Sequence, residues 1–492
     1  MCGLFTARWA LEALGQVDYG LYGVVGGIAM FVSFFNGVLS VSVGRFYAVS
    51  VGASQCNDEG LLQCQRWFTT ALILHLVLSL ILILIGYPVG QWAIGNWLKI
   101  PANKIDDCIC VWRFVSLTCF ISMVSVPFNA MYTAKQYIAE LTIYSVVSST
   151  LNVVFLYYMI THPGDWLIGY AFWLMLLSVV PSIIIAIRSM VVFKECRLDI
   201  AYLGHWPSIF KLLTFSGWNF FGSMGNLLKN AGMTVLVNKL LGPSHNASVS
   251  LSNSISGHAQ TLAGAFVGAL MPAITNAYGA NERARMIKLM HLTCKIGAVL
   301  LLPIVLPLCL EIDEVVKIWL KIPPKGVPLL TCCILVTVLL EKLTTGHWVA
   351  IAANGKIGMY QFIVGTCFAS TLLIAGGLMM CGFDVSAVGF SLVTTMLIVV
   401  IIRIIAAKIL LDITPRYWIN KIFLPLILVS ALTLFAGAVP KLFMPASFLR
   451  ILITTAICEV VLLPMIWLVV LSNDERLYIV QQIKKRIPSY GA

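Results

Sequence analysis

The chain has 492 residues, of which 60% are hydrophobic and 11% charged, and its mean hydropathy is +0.94. Soluble domains carry about 25% charged residues, so this composition argues against a soluble enzyme and places long stretches of the chain in lipid. The formal charge of +12 does not point to nucleic acid, because the 32 Lys and Arg are dispersed among apolar runs rather than gathered on one face or tail.

A membrane-crossing helix needs about 20 mostly apolar residues. Met1 to Gly15 is apolar but too short to span, and it lacks the basic start and small-residue cleavage site of a signal peptide. It reads as the second half of a first helix that begins upstream. Thirteen full runs follow, centred on 20–43, 67–89, 109–132, 138–160, 165–188, 212–241, 247–272, 286–310, 327–352, 357–380, 386–408, 420–440 and 447–472. The expectation is an all-α polytopic membrane protein of about 14 transmembrane helices, the first of them shortened. Lys and Arg in the loops and toward the ends of these runs number 19 on one side, with Arg45, Lys135, Lys356 and Arg403, and 8 on the other, with Lys104 and Lys325. The positive-inside bias makes the first side cytoplasmic, together with both termini.

Fourteen cysteines invite a disulfide or metal reading, yet most, such as Cys119, Cys294, Cys333 and Cys458, lie inside apolar runs without paired C-x-x-C spacing. They read as small packing residues, with no metal, redox group or cofactor implied. No G-x-x-x-x-G-K-[ST] sequence occurs, so ATP hydrolysis on this chain is not expected.

An internal repeat organises the runs. Trp97-Leu98-Lys99-Ile100-Pro101 recurs as Trp319-Leu320-Lys321-Ile322-Pro323, Lys135 corresponds to Lys356, and Gly37-Val38-Leu39 corresponds to Gly268-Ala269-Leu270. Each copy holds six helices, so both enter the membrane in the same direction, and two six-helix lobes around a central cavity are a transporter plan. The expected division is 1–190 for the first lobe, 191–410 for the second and 411–492 for two additional helices and a tail.

The five basic residues left over are assigned to the interiors of the apolar stretches: Arg8, Arg113, Lys229, Lys295 and Lys342. An ionised side chain at a helix centre costs about 2.5–3.5 kcal/mol on insertion scales, so such residues usually face a bundle interior or cavity. Snorkelling to the headgroups is the rival reading, above all for Arg8 and Arg113 near helix ends. Glu12, Glu140, Glu341 and Glu459 are the carboxylates within the runs; Glu12 can pair with Arg8 at i, i+4, and Glu140 and Glu341 are candidates for ion coupling. Asn36, Asn219, Asn226, His258 and Gln260 are candidate cavity-lining groups or helix–helix hydrogen bonds. A cavity with surplus positive charge favours an anionic solute, phosphate above all.

Glu12-Ala13-Leu14-Gly15, Asp18-Tyr19-Gly20-Leu21-Tyr22 and Val24-Val25-Gly26-Gly27 resemble the opening of Wzx-type polysaccharide flippases of the MOP (MATE-like) superfamily. Leu241-Gly242-Pro243, Asn246-Ala247, Pro272-Ala273-Ile274-Thr275, Ala277-Tyr278-Gly279 and Ala353-Asn354-Gly355-Lys356-Ile357 resemble further landmarks of that family in the same order. Ala273 and Asn276 depart from it, where members often carry Gln and Lys. The resemblance implies two six-helix bundles plus two C-terminal helices in a bacterial inner membrane. It implies alternating access that flips an undecaprenyl-pyrophosphate-linked oligosaccharide for O-antigen or capsule to the periplasmic leaflet, without enzymatic catalysis. The cations Arg8, Arg113, Lys229, Lys295 and Lys342 would then hold the pyrophosphate. A coupling proton or sodium ion, membrane lipids, and a polysaccharide polymerase or chain-length regulator are the implied partners. A cation-coupled multidrug exporter of the MATE type shares the architecture, but a cavity for cationic drugs calls for net acidic character. A membrane-bound glycosyltransferase or polymerase calls for a large extracytoplasmic loop, and the longest loops on that side, near 90–108 and 311–326, are too short.

Overall fold

The computed structural model describes residues 2–54, 58–98, 100–162, 164–199, 202–320, 325–477 and 481. Cys56, Lys99, Lys321–Pro323 and the basic tail Lys484–Arg486 therefore lie outside the described residues. Among those described there is no strand: the chain is all-helical, and each helix satisfies its own backbone, as lipid demands.

The helices in chain order are α1 (Cys2–Ser54), α2 (Asp58–Ile81), α3 (Tyr87–Trp92), α4 (Ile105–Ala134), α5 (Ile138–Thr161), α6 (Leu167–Val192), α7 (Trp206–Leu227), α8 (Met233–Leu241) and α9 (Pro243–Gly279). They continue with α10 (Arg283–Val299), α11 (Leu302–Leu320), α12 (Val327–Asn354), α13 (Gly358–Met380), α14 (Ser386–Leu411), α15 (Arg416–Trp418), α16 (Leu424–Phe443) and α17 (Phe448–Met465). Eleven helical segments among the described residues are long and apolar enough to cross a membrane, or twelve if the bent pair Ser248–Thr261 and Ala263–Gly279 is one span. The fourteen expected from sequence are not all among them. The stretch from α7 to α8 is helical, but Lys211, Asn219, Asn226, Lys229 and Lys239 dilute its apolar character. Several helices also outrun their apolar runs: the run at 20–43 continues helically to Ser54, and the run at 286–310 is split into α10 and α11.

The repeat survives as backbone conformation. The first break inside α1 falls at Gly15 (φ 74°, ψ 171°), and the break between α8 and α9 falls at Gly242 (φ 90°, ψ 175°). Both lie in a region open essentially to glycine alone. After each break comes one long helix, then α2–α3 or α10–α11, then α4, α5 and α6 or their counterparts α12, α13 and α14.

Two compact units divide the chain: Met1–Phe220 with Thr275–Glu282, and Phe221–Ile274 with Arg283–Ala492. In the first, α4 packs against α1, α2 and α6. Trp112 of α4 lies where a Cβ on Gly90 would stand, 2.3 Å from its ring, and its Nε1 donates to the Tyr87 carbonyl at 3.0 Å. The end of α9 meets α1 almost backbone to backbone, since a Cβ on Gly279 would lie 1.9 Å from the Val49 carbonyl and one on Gly52 2.0 Å from that of Asn276. Small residues permit such approach where no hydrophobic force drives helices together in lipid. Asn276 Nδ2 then donates 3.0 Å to the Ala134 carbonyl, closing the end of α4.

In the second unit α12 is central, packed by α10, α11 and α14, while α16 and α17 pack on each other and on α11. Glu311, at a non-helical break in α11, is 1% exposed and accepts from Arg450 Nη2 at 2.8 Å and Thr454 Oγ1 at 3.0 Å. This buried ion pair anchors α17 to α11.

Candidate functional site

In the second unit, α7 lies so close to α13 that a Cβ on Gly225 would stand 2.3 Å from the Gly365 carbonyl. The helix then passes through one π-helical turn, Leu228–Gly232, before α8. Such a turn carries an extra residue and is frequent at functional sites. Lys229 sits in it, half-buried, with Nζ 4.6 Å from the centre of the Phe368 ring on α13, a cation–π distance. Glu341 on α12 and Arg403 on α14 both lie within electrostatic reach of this ammonium.

Arg403 is a correction to the sequence reading, which counted it among cytoplasmic loop cations. It is buried within α14, donating to Thr344 Oγ1 at 3.0 Å, to the Tyr360 hydroxyl at 3.3 Å and to the Glu341 carbonyl at 3.4 Å. Tyr360 stacks on Trp348 with centroids 5.2 Å apart. Among the described residues no carboxylate pairs with Arg403. Lys342, next to Glu341, is half-buried on another face of α12, where a Cβ on Gly297 would come 3.1 Å from its Cβ. With the pairs Lys295–Glu475 and Arg450–Glu311 set aside, the second unit carries Lys229, Lys342 and Arg403 within its helices against Glu341 and, on α17, the half-buried Glu459.

Lys295 is buried on α10 but already occupied: its Nζ donates to the two carboxylate oxygens of Glu475 at 2.8 and 3.0 Å. Glu475 in turn accepts from the backbone N–H of Ser472 at 2.8 Å, capping the turn beyond α17. Nothing in the sequence marks a partner 180 residues away. Beside it, His291 and His347 are buried among Cys294, Tyr417 and Trp418, with Cys294 Sγ 3.5 Å from His347 Nδ1.

The first unit treats its candidates differently. Glu140 is bound by the guanidinium of Arg188, by Tyr144 at 2.9 Å and by Tyr132 at 3.1 Å, tying α4, α5 and α6 together. Arg113 is exposed on α4, and the side chain of Arg8 lies outside the described residues. Asn36 donates to Ser122 at 3.2 Å and Asn219 to Ser42 at 3.2 Å, both bridging helices; Asn226 and Gln260 are exposed, and the side chain of His258 is outside the described residues. Lys104, assigned from sequence only to a loop, gathers Asp165 at 2.8 Å, Asp18 at 3.1 Å and Asp107 at 3.5 Å. Outside the helices, this holds the Asp165 carboxyl below its ordinary range. Among the described residues, no group of three His, Cys, Asp or Glu is placed to hold a metal ion.

The sequence profile of the family described as polysaccharide biosynthesis protein matches residues 17–321. Among solved structures, the chain is similar to an outward-facing multidrug resistance MATE family transporter of the MOP superfamily, with TM-score 0.66 and 15% identity over 83% of this chain and 91% of that one. It is similar to a MOP superfamily transporter from Pyrococcus furiosus, with TM-score 0.64 and 14% identity over 83% and 91%. It is also similar to a MATE transporter in a bent conformation, with TM-score 0.69 and 15% identity over 87% and 92%. No curated protein matches the chain in sequence. At such identities the structural likeness shows the fold alone, whereas the profile covers more than half of the chain. The protein is therefore a multi-pass membrane protein with a MATE-like fold, and it belongs to the polysaccharide biosynthesis protein family.

Proposed function

We propose that the chain flips an undecaprenyl-pyrophosphate-linked oligosaccharide from the cytoplasmic to the periplasmic leaflet of a bacterial inner membrane, supplying O-antigen or capsule synthesis, with both termini cytoplasmic. The observation that carries this reading is the surplus of cations within the second unit once its ion pairs are set aside: Lys229 on its π-helical turn, Lys342, and the buried Arg403, against Glu341 and Glu459. Low dielectric strengthens their attraction for a pyrophosphate and makes the site costly to leave empty of anions. The lobes 1–190 and 191–410 would expose this site to either side in turn, while 411–492 supports the second. Arg8 and Arg113 would assist from the first lobe. Lys295 joins the pyrophosphate only where Glu475 releases it. Glu341 is the better-placed coupling carboxylate for a proton or sodium ion, because three side chains already bind Glu140. A polymerase and chain-length regulator would receive the product.

The fold relative from Pyrococcus furiosus is described as having a binding pocket of reverse polarity that suggests a different function. The same logic separates this chain from a MATE-like drug exporter, whose cationic cargo a cationic site would repel. The test is purified protein in liposomes with a fluorescent undecaprenyl-pyrophosphate oligosaccharide, whose exposure to an external quencher is followed over time. Protein-dependent exposure should be lost in Lys229→Gln and Lys342→Gln variants that still fold. Undiminished exposure in both variants would remove the cationic site. No exposure with the folded parent protein, alongside drug sensitivity in a deletion strain, would transfer the reading to the exporter.

A further inference from the structure

A cavity of about 560 Å³ lies within the first unit, where the end of α1 meets the start of α2 and the start of α7. This is a volume ordinary for small-molecule sites. Glu59, Gln63 and Arg66 line it at i, i+4 and i+7, so a carboxylate, an amide and a guanidinium project from one face of α2. Trp67, Tyr202 and Ser208 complete the wall.

The wall is held in place by contacts behind it. The Arg66 guanidinium lies 4.8 Å over the Tyr202 ring, and its Nε is 3.5 Å from Asp199 Oδ2. The Asp199 backbone N–H donates to Thr69 Oγ1 at 2.9 Å, fixing that segment to α2. His205 stacks on Tyr202 at 4.3 Å and bonds Ser208 Oγ at 2.9 Å. Trp67 rests on Phe46 at 4.2 Å, with the Lys211 ammonium 5.9 Å from its ring. For Arg66, Trp67, Tyr202 and Ser208 little side-chain entropy remains to be lost when a ligand enters.

The charges of the lining balance, Glu59 against Arg66, unlike the cation surplus in the second unit. A phosphate group gains little from such a lining, and an apolar chain less. Alternating donors and acceptors on planar, bidentate groups suit a polyhydroxylated ligand, whose neighbouring hydroxyls each donate and accept. We propose that this cavity holds a sugar residue of the transported oligosaccharide, at the end of the unit that carries Arg45, Arg66 and Lys194 and that the basic-residue count assigns to the cytoplasm. The inference rests on the flippase reading: the second unit recognises the pyrophosphate and this cavity recognises the glycan.

The test uses full-length protein in lipid nanodiscs and saturation-transfer NMR with three free sugars, N-acetylglucosamine, galactose and rhamnose, plus inorganic pyrophosphate as a competitor. Glu59 and Gln63 are exposed, so Glu59→Gln and Gln63→Ala leave the fold intact, and unfolding temperatures confirm it. Transfer to at least one sugar should fall about tenfold in the double variant, the loss of one to two net hydrogen bonds, and pyrophosphate should not compete. Absent transfer to every sugar, transfer unchanged in the double variant, or displacement by pyrophosphate each overturns the sugar pocket. The liposome assay on the same preparations separates the two readings. Flipping with no sugar transfer leaves the flippase and removes the pocket. Sugar transfer with no flipping leaves a glycan site and removes the flippase.

Discussion

The Lys295–Glu475 pair can be dismantled one charge at a time. The lysine side chain is 6% exposed and the glutamate 23%. Removing one partner of a buried pair costs about 3–5 kcal/mol, because the other is left desolvated and unpaired. Exposure decides which removal is worse. Glu475→Gln strands an ammonium on the more deeply buried side chain of the pair, so its cost should approach about 3 kcal/mol. Lys295→Met leaves a carboxylate that can reach solvent and still accepts from the Ser472 N–H, for a loss of about 1 kcal/mol. The double variant should then be more stable than Glu475→Gln alone. The assay is the apparent unfolding temperature of the full-length protein in detergent at fixed scan rate, read as an order rather than as equilibrium energies. Burial pushes the Glu475 carboxyl up, but the hydrogen bonds from Lys295 and the Ser472 N–H outweigh it and hold the group below its ordinary value. A depressed carboxyl stabilises above the unfolded value of about 4.3 and loses that contribution as pH falls through the lowered one. The gap between parent and Glu475→Gln should therefore persist at neutral pH and close in acid. If Glu475→Gln is no worse than Lys295→Met, or if the two losses add, the pair is not the anchor its geometry describes.

Gly279→Val should lower the unfolding temperature by the equivalent of about 3 kcal/mol, since its Cβ would meet the Val49 carbonyl rather than a movable side chain; a near-neutral effect would mean that α1 and α9 are farther apart. Asn276→Ala should cost about 1–3 kcal/mol by leaving the Ala134 carbonyl unpaired, read in the same unfolding assay. Glu341→Gln should shift or flatten the pH dependence of flipping, while Glu140→Gln should lower stability and leave the pH profile in place; the reverse pattern would move the coupling role to Glu140.

Much of this was legible in the sequence because lipid imposes simple rules. The all-helical class follows from runs of apolar residues, and the repeat from Trp97-Leu98 and Trp319-Leu320. Even the first break was visible, where the run to Gly15 ends before Asp18. Three kinds of feature were not. Helix continuation past the apolar run, as in α1 to Ser54, depends on packing outside the hydrocarbon rather than on hydropathy. A π-helical turn such as Leu228–Gly232 leaves no compositional mark, because one inserted residue alters register without altering residue type. Pairings over long sequence separations, Lys295 with Glu475 and Glu311 with Arg450, join residues that each look idle alone. Arg403 was misplaced for a related reason: a cation near a helix end reads as a loop cation until its partners are known.

The repeat also shows how one half acquired surplus charge. In the first copy, α5 and α6 are tied by Glu140 and Arg188, so the cation is neutralised. In the second, the corresponding helices α13 and α14 are tied by Tyr360 and Arg403, a hydroxyl in place of a carboxylate, and among the described residues no carboxylate pairs with the buried guanidinium. The tie is conserved in geometry and altered in electrostatics, which costs stability unless an anion visits. Tyr360→Glu should restore the first copy's arrangement in the second. The unfolding temperature should rise or hold, since the buried Arg403 gains a counter-charge, while exposure of the pyrophosphate-linked probe should fall, since one of three site cations is neutralised. Stability gained together with transport lost is the signature of charge held in reserve for a ligand. Stability and transport falling together would show instead that Tyr360 serves packing against Trp348, and unaltered transport would show that Arg403 does not act on the substrate.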